Sequence, residues 1–217
     1  MNHKGLLIVI SGFSGVGKGT MIKKLIDNYD KYALSVSMTT REPRLGEEHG
    51  REYFFATKEE FRDKILQDGF IEYAEYCDNY YGTPRDYVFS VLEQGKNVIL
   101  EIETQGARKV KEKFPETVLL FVMPPSVEVL RKRLIGRGTE NKEIIQKRLS
   151  KAAEEAVGIE DYDYIIVNDD LDSSVERLHV LIEKSHEGLQ EAYRPSNYRQ
   201  LIEKCRAELN ALAKGEK

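Results

Sequence analysis

The stretch "GFSGVGKGT", Gly12 to Thr20, puts glycines at 12, 15, 17 and 19 around a single lysine and follows directly on the apolar run Leu6 to Ile10. It fits G-x-x-x-x-G-K at Gly12, Gly17 and Lys18, with a strand entering and a helix leaving. Glycines let successive backbone N–H groups turn inward, the following helix presents its positive end, and Lys18 neutralises terminal phosphate charge. The residues Gly12, Phe13, Ser14, Gly15, Val16, Gly17, Lys18, Gly19 and Thr20 thus form a cradle for a polyphosphate anion. Gly19 takes the place directly after the lysine where a metal-binding hydroxyl is common, so Thr20 must serve a magnesium shell from one residue later.

Two further groups suit phosphate chemistry. "NVILEIETQG" carries Glu101 and Glu103, which alternation along a strand places on one side, at a carboxyl end where ligands bind in open α/β sheets and where magnesium is held through water. Between Arg131 and Lys151 there are eight Lys or Arg, including Arg133, Arg137 and Arg148. Phosphoryl transfer spreads charge over equatorial oxygens and calls for guanidinium groups more than for a base. Arg133 and Arg137 are four apart on one helix face, and Gly136 and Gly138 allow the segment to close as a lid.

These groups need a scaffold, and the chain can build one. Its 217 residues, 41% hydrophobic and 32% charged, suffice for one compact unit with subdomains. The formal charge of −4 argues against a surface specialised for nucleic acid or an anionic membrane. With no secretory signal, no bilayer-length apolar run and only Cys77 and Cys205, the expectation is a reduced, cytoplasmic protein whose cysteines are packing residues. Monomer and homo-oligomer stay open.

Continuous apolar runs at Leu6 to Ser11, Ala33 to Met38, Val98 to Ile102, Val118 to Met123 and Tyr164 to Val167 predict a parallel sheet covered on both faces. Ser126, Thr104 and Asp172 are candidate helix N-caps between them. Residues 37–90 differ: "REYFFA" and "GFIEYAEY" alternate as antiparallel strands do, Thr57 with Glu60 makes a capping box, and Thr83–Pro84 opens a further helix. The fold class is α/β, a P-loop NTPase-like doubly wound parallel sheet of about five strands, with an inserted small mixed α/β subdomain and a helical lid. The expected boundaries are a core of 1–36, 91–127 and 158–194, the insertion 37–90, a lid 128–157 and a terminal helix 195–217.

The insertion also contains "SMTTREPRLGE", "FIEYAEY" and "YYGTP", and beyond it stand "QGA" at Gln105 to Ala107 and "VNDDL" at Val167 to Leu171. On these the chain resembles guanylate kinase, the nucleoside monophosphate kinase that moves phosphate from ATP to GMP, from about Leu6 to about His186. The resemblance implies that Arg41, Arg44, Tyr53 and Tyr81 bind the GMP phosphate and that Ser37, Glu72 and Thr83 read the guanine. It puts Glu103 on the GMP side, where the family usually carries Asp, and Phe13 where its phosphate loop usually carries Pro. It implies catalytic roles for Lys18, Arg41, Arg133, Arg137 and Arg148, with Asn168 near the adenine. It implies Mg2+ as cofactor, held through water by Thr20 and Glu101, with ATP as co-substrate.

Residue chemistry agrees: guanine offers N1–H and N2–H donors, which one carboxylate such as Glu72 accepts together, whereas adenine presents an acceptor at N1. Two other readings stay open, a guanylate-kinase-like module that uses the same fold to bind a phosphorylated peptide without catalysis and a kinase for a sugar phosphate. The first has no use for Lys18, the second none for Glu72.

Overall fold

The computed structural model describes residues 4–135, 142–188 and 190–214. Among the described residues nine strands form two sheets. The larger takes β1 (Leu7–Gly12), β2 (Tyr32–Leu34), β7 (Asn97–Glu101), β8 (Val118–Met123) and β9 (Tyr164–Val167) in the order β2-β7-β1-β8-β9, a parallel sheet of five strands. Its strands are continuous apolar runs because both faces are covered: all six residues of β1 are buried, and so are Leu119 to Met123 of β8. Both neighbours of β1 come later in the chain, so the sheet reverses direction there, and at such a reversal the carboxyl ends of the strands leave a crevice.

The smaller sheet is mixed, in the order β4 (Tyr53–Phe55), β3 (Ser37–Thr39), β6 (Asn79–Pro84), β5 (Phe70–Tyr76). Two sequence expectations change here. The run Ala33 to Met38 is not one strand: Ser35 makes its last rung by donating to the Ile99 carbonyl at 2.9 Å, and the chain then enters the other sheet as β3. "REYFFA" yields β4, which is parallel to β3 with Ser37 beside Tyr53. Residues 40–52 supply the return of about a dozen residues that a parallel pair needs. β5 and β6 are antiparallel as expected, with a register shift between Phe70 and Tyr73.

The helices are α1 (Lys18–Asn28), α2 (Lys58–Leu66), α3 (Arg85–Glu93), α4 (Thr104–Lys113), α5 (Val127–Ile135), α6 (Lys142–Glu155), α7 (Leu171–Ser185) and α8 (Arg199–Ala213). The capping box of α2 is present: the Thr57 hydroxyl accepts from the Glu60 amide at 3.1 Å, and the Glu60 carboxylate accepts from the Thr57 amide at 2.7 Å. Of the acids in "NDDLDSS", Asp170 is the cap of α7, accepting from the Ser173 amide at 2.9 Å. Asp172 instead falls in the first turn, where its charge suits the helix dipole. A helix does open at Thr83–Pro84: Pro84 ends β6 and is the N-cap residue of α3, while the Thr83 hydroxyl is spent across the sheet on Glu72 rather than on capping.

The chain divides into two compact units, residues 1–8, 30–100 and 105–117, and residues 9–29, 101–104 and 118–217. The first contains the smaller sheet. In the second, α8 packs on α6 through Ile202, Cys205 and Leu209, all buried, and Gln146 donates to the Leu212 carbonyl at 2.7 Å. Burial pushes the Cys205 thiol up to about 11, whereas Cys77 is exposed and so is not the packing residue expected of it. Among the described residues no helix is long and apolar enough to cross a membrane.

Since Leu209 is fully buried, Leu209→Ala leaves a cavity and is expected to cost about 2–5 kcal/mol in urea unfolding. A midpoint equal to wild type would mean that α8 is a detachable tail.

Candidate active site

The phosphate-type loop leaves β1 at Gly12, where any side chain would collide with β8: a Cβ there would lie 2.4 Å from the Val122 carbonyl oxygen. Gly17, at φ 100°, turns the chain into α1. Phe13 faces the core, fully buried and edge-on to Phe121 at 5.2 Å between ring centres, which anchors the loop and leaves only its backbone to a ligand. Lys18 opens α1, and its Nζ donates to the carbonyls of Gly12 at 2.6 Å and Phe13 at 3.3 Å. Burial holds the Lys18 ammonium below its usual pKa, opposed by the charges of Glu155, Glu101 and Glu103 in that order. Ser14, Gly15 and Val16 complete the turn, and Gly19 and Thr20 are exposed on the first turn of α1.

Two side chains brace this loop. Asn168, buried after β9, donates from Nδ2 to the Val16 carbonyl at 2.9 Å. Arg133 on α5 donates to the Val16 carbonyl at 3.0 Å and to the Asn168 carbonyl at 2.8 Å, so its guanidinium is tied to the loop backbone. Arg148 is half-buried on α6. Arg137, Gly136 and Gly138 lie outside the described residues.

The two acids after β7 part company. Glu101 is the last strand residue; desolvation raises its carboxyl above the usual range against the pull of Lys18, and a Cβ at Gly19 would lie 3.6 Å from its Oε2. Glu103 has left the strand, so alternation does not bring it beside Glu101. It pairs instead with Lys151 of α6 at 3.2 Å. The intervening Ile102 carbonyl is held by the Ser11 hydroxyl at 2.7 Å. Thr20 and Glu101 offer two oxygen donors, which suits a hard cation completed by water and phosphate. Among the described residues no three His, Cys, Asp or Glu come together as a metal cage.

In the first unit, strand register gathers another set. Ser37 stands opposite Tyr53, and Thr39 opposite both Phe55 and Tyr81, so with period two Ser37, Tyr53, Tyr81 and Thr83 share one face. Thr83, fully buried, donates to Glu72 Oε1 at 2.8 Å. Burial pushes the Glu72 carboxyl above its usual range, with the Thr83 hydrogen bond and the charge of Lys109 pulling the other way. A cavity of about 280 Å³ adjoins Glu72, lined also by Phe70, Tyr73, Lys109 and Lys113. Arg41 follows β3 and is gripped by Glu47, its Nη2 at 2.9 Å from both carboxylate oxygens, with its guanidinium 5.4 Å from the Tyr53 ring centre. The Arg44 amide donates to the same carboxylate at 2.8 Å while its side chain is exposed.

The Guanylate kinase family model matches residues 4–185. A guanylate kinase of Latilactobacillus sakei is 50% identical over 187 residues, 86% of this chain and 92% of that protein. One of Caldanaerobacter subterraneus is 51% identical over 182 residues, 84% and 88% of the respective chains. The crystal structure of guanylate kinase from Anaplasma phagocytophilum superposes with a TM-score of 0.64 at 34% identity, covering 93% of this chain and 95% of that one. The chain belongs to the guanylate kinase family.

Three residues of the chain matter that no motif singles out. Glu47 lies inside the quoted motif, and its spacing from Arg41 in a turn was the available signal. Lys109 is one of many helix lysines, distinguishable only by its proximity to Glu72. Glu155, in "KAAEEA", reads as a solvated helix residue but is buried and accepts from the Ser14 amide at 2.9 Å.

Glu72 gives a signed expectation. Its folded pKa is raised above the usual 4.5, so its contribution favours folding below that value and is lost as pH rises through the raised one. Glu72→Gln keeps the acceptor for Thr83 and removes the buried charge, so the variant is expected to be the more stable at pH 7, the gap closing below pH 4.5. Urea unfolding of both proteins at pH 7 and pH 4 tests this, and a pH-independent gap refutes it.

Proposed function

We propose that the loop Gly12–Thr20 with Asn168 takes the phosphates and base of ATP, and that the sheet face of Ser37, Tyr53, Glu72, Tyr81 and Thr83 with Arg41 and Arg44 takes GMP. Membership of the family makes the protein an ATP:GMP phosphotransferase, giving ADP and GDP. The observation that carries the substrate assignment is the desolvated Glu72 hydrogen-bonded to Thr83: a carboxylate fixed there accepts both donors of a guanine edge and repels the N1 acceptor of adenine.

The acceptor phosphate is dianionic near neutrality and needs no general base, so the work is orientation and charge. Arg41, preset by Glu47, and Arg44 neutralise the acceptor, and the Tyr53 and Tyr81 hydroxyls complete its hydrogen bonds. Glu103, held near Lys151, serves the GMP side. Lys18 exchanges the Gly12 and Phe13 carbonyls for the transferring phosphate, and the charges of Arg133, Arg137 and Arg148 stabilise what develops in transfer. Thr20 and Glu101 would hold a Mg2+ ion through water, and the ion would supply screening of phosphate charge. In this reading 37–90 is the GMP-binding subdomain and 128–157 the lid on a core of 1–36, 91–127 and 158–194. Two unpaired thiols fit a reducing compartment such as the cytoplasm.

The deciding measurement is ATP consumption in the presence of magnesium with GMP, AMP or ribose bisphosphate. GMP is expected to be used well and the others poorly, and equal rates with AMP and GMP would overturn the role of Glu72. Lys18→Ala is expected to fold normally and lose about three orders of magnitude or more in kcat, since the missing charge acts on the transferring phosphate.

A further inference from the structure

The loop is held from two sides, and only one of those holds is free to persist during transfer. Lys18 holds the turn Gly12–Ser14 by its carbonyls, at 2.6 Å to Gly12 and 3.3 Å to Phe13. Glu155, the last residue of α6, holds the same turn by its amide side, with Oε2 accepting from the Ser14 N–H at 2.9 Å. A triphosphate in the loop draws the Lys18 ammonium away from the carbonyls. It makes no such demand on Glu155, a residue only 8% exposed, whose carboxylate needs the amide as much as the amide needs it.

Glu155 is itself held. Arg206 of α8 donates through Nε at 3.2 Å and Nη2 at 3.0 Å to the Ala156 carbonyl, one residue further on, and pairs with Glu160 at 2.6 Å. The connection therefore runs from the C-terminal helix through the end of α6 to the loop. Arg148 stands two helical turns before Glu155, on the same face of α6. The charged groups around Glu155 are Lys18 from α1, Glu103 after β7 and Lys151 of its own helix.

We propose that Glu155 is a positioning residue for the triphosphate: it keeps the Gly12–Ser14 turn in shape when Lys18 turns to the nucleotide, and it sets the register between the loop and the Arg148 face of α6. The proposal rests on the reading that this loop takes the phosphates of ATP. It assigns Glu155 the role of a hydrogen-bond acceptor of fixed length, so the neutral isostere must rescue what the shorter acid does not.

The test is steady-state kinetics of Glu155→Gln, Glu155→Asp and Glu155→Ala, varying MgATP at saturating GMP and then the reverse. In the Ala and Asp variants kcat/KM for MgATP is expected to fall about tenfold to a hundredfold, the range for an amide left unpaired. The Gln variant is expected to stay within about threefold, with the KM for GMP within about threefold in all. Wild-type kinetics in the Ala variant, equal losses for both substrates, or an active Asp variant beside an impaired Gln variant would each overturn the proposal. If the Ala variant fails to fold by circular dichroism, the Gln and Asp pair carries the test. Lys18→Ala, assayed alongside, separates the two readings. If it is active, the assignment of the loop to ATP falls and this proposal with it; if it is inactive while the Glu155 variants are indifferent, only this proposal falls.

Discussion

Burying an ammonium group is costly unless it is paired, and the second unit is arranged around that constraint. Lys18 has lost part of its water to the loop it serves, and three carboxylates from two segments compensate: Glu155 from α6, and Glu101 and Glu103 at and just beyond the end of β7. Glu155 and Glu103 each have a further commitment, to the Ser14 amide and to Lys151 respectively. Removing either therefore disturbs more than a charge balance. The glycines serve the same end by letting the loop backbone close around the lysine, with Gly12 pressed against the β8 backbone so tightly that no side chain fits.

Much of this was legible in the residues. The loop motif is read because its chemistry is local: spacing alone places the glycines, the lysine and the helix start. The five apolar runs are read because a strand buried on both faces must be apolar throughout, and β8 and β9 occupy the expected spans. What escaped depends on partners distant in the chain. Whether β4 is parallel or antiparallel follows from the path of residues 40–52, not from the alternation of "REYFFA". Asp170 and Asp172 are equal as letters, and the cap is decided by which amide lies three residues on. The end of β7 at Glu101 follows from the Ser11 hydroxyl taking the next free carbonyl, a contact across 91 positions.

The candidate site shows the same division. Ser37, Tyr53, Tyr81 and Thr83 were named from a resemblance, and strand register supplies the physical reason that they belong together. Glu155 and Lys109 carry no local mark, because a charged residue on an amphipathic helix looks solvated until something packs over it. Phe13, a departure from the usual pattern, is accounted for by the core: where a proline would stiffen the loop through its backbone, the aromatic ring fastens it to Phe121.

If Arg41 meets the acceptor phosphate as proposed, the grip of Glu47 on it has a consequence for which anions are taken. A guanidinium already chelated by a carboxylate, with both nitrogen-to-oxygen distances at 2.9 Å, has its rotamer entropy spent before any ligand arrives and presents little net field to the solvent. A singly charged anion gains little by competing with an intramolecular partner that is always present at high effective concentration. A doubly charged one that also satisfies neighbouring donors overcomes it. In that reading the pair would act as a threshold, screening out small anions at low charge density and yielding only to a ligand that brings enough charge and enough contacts together.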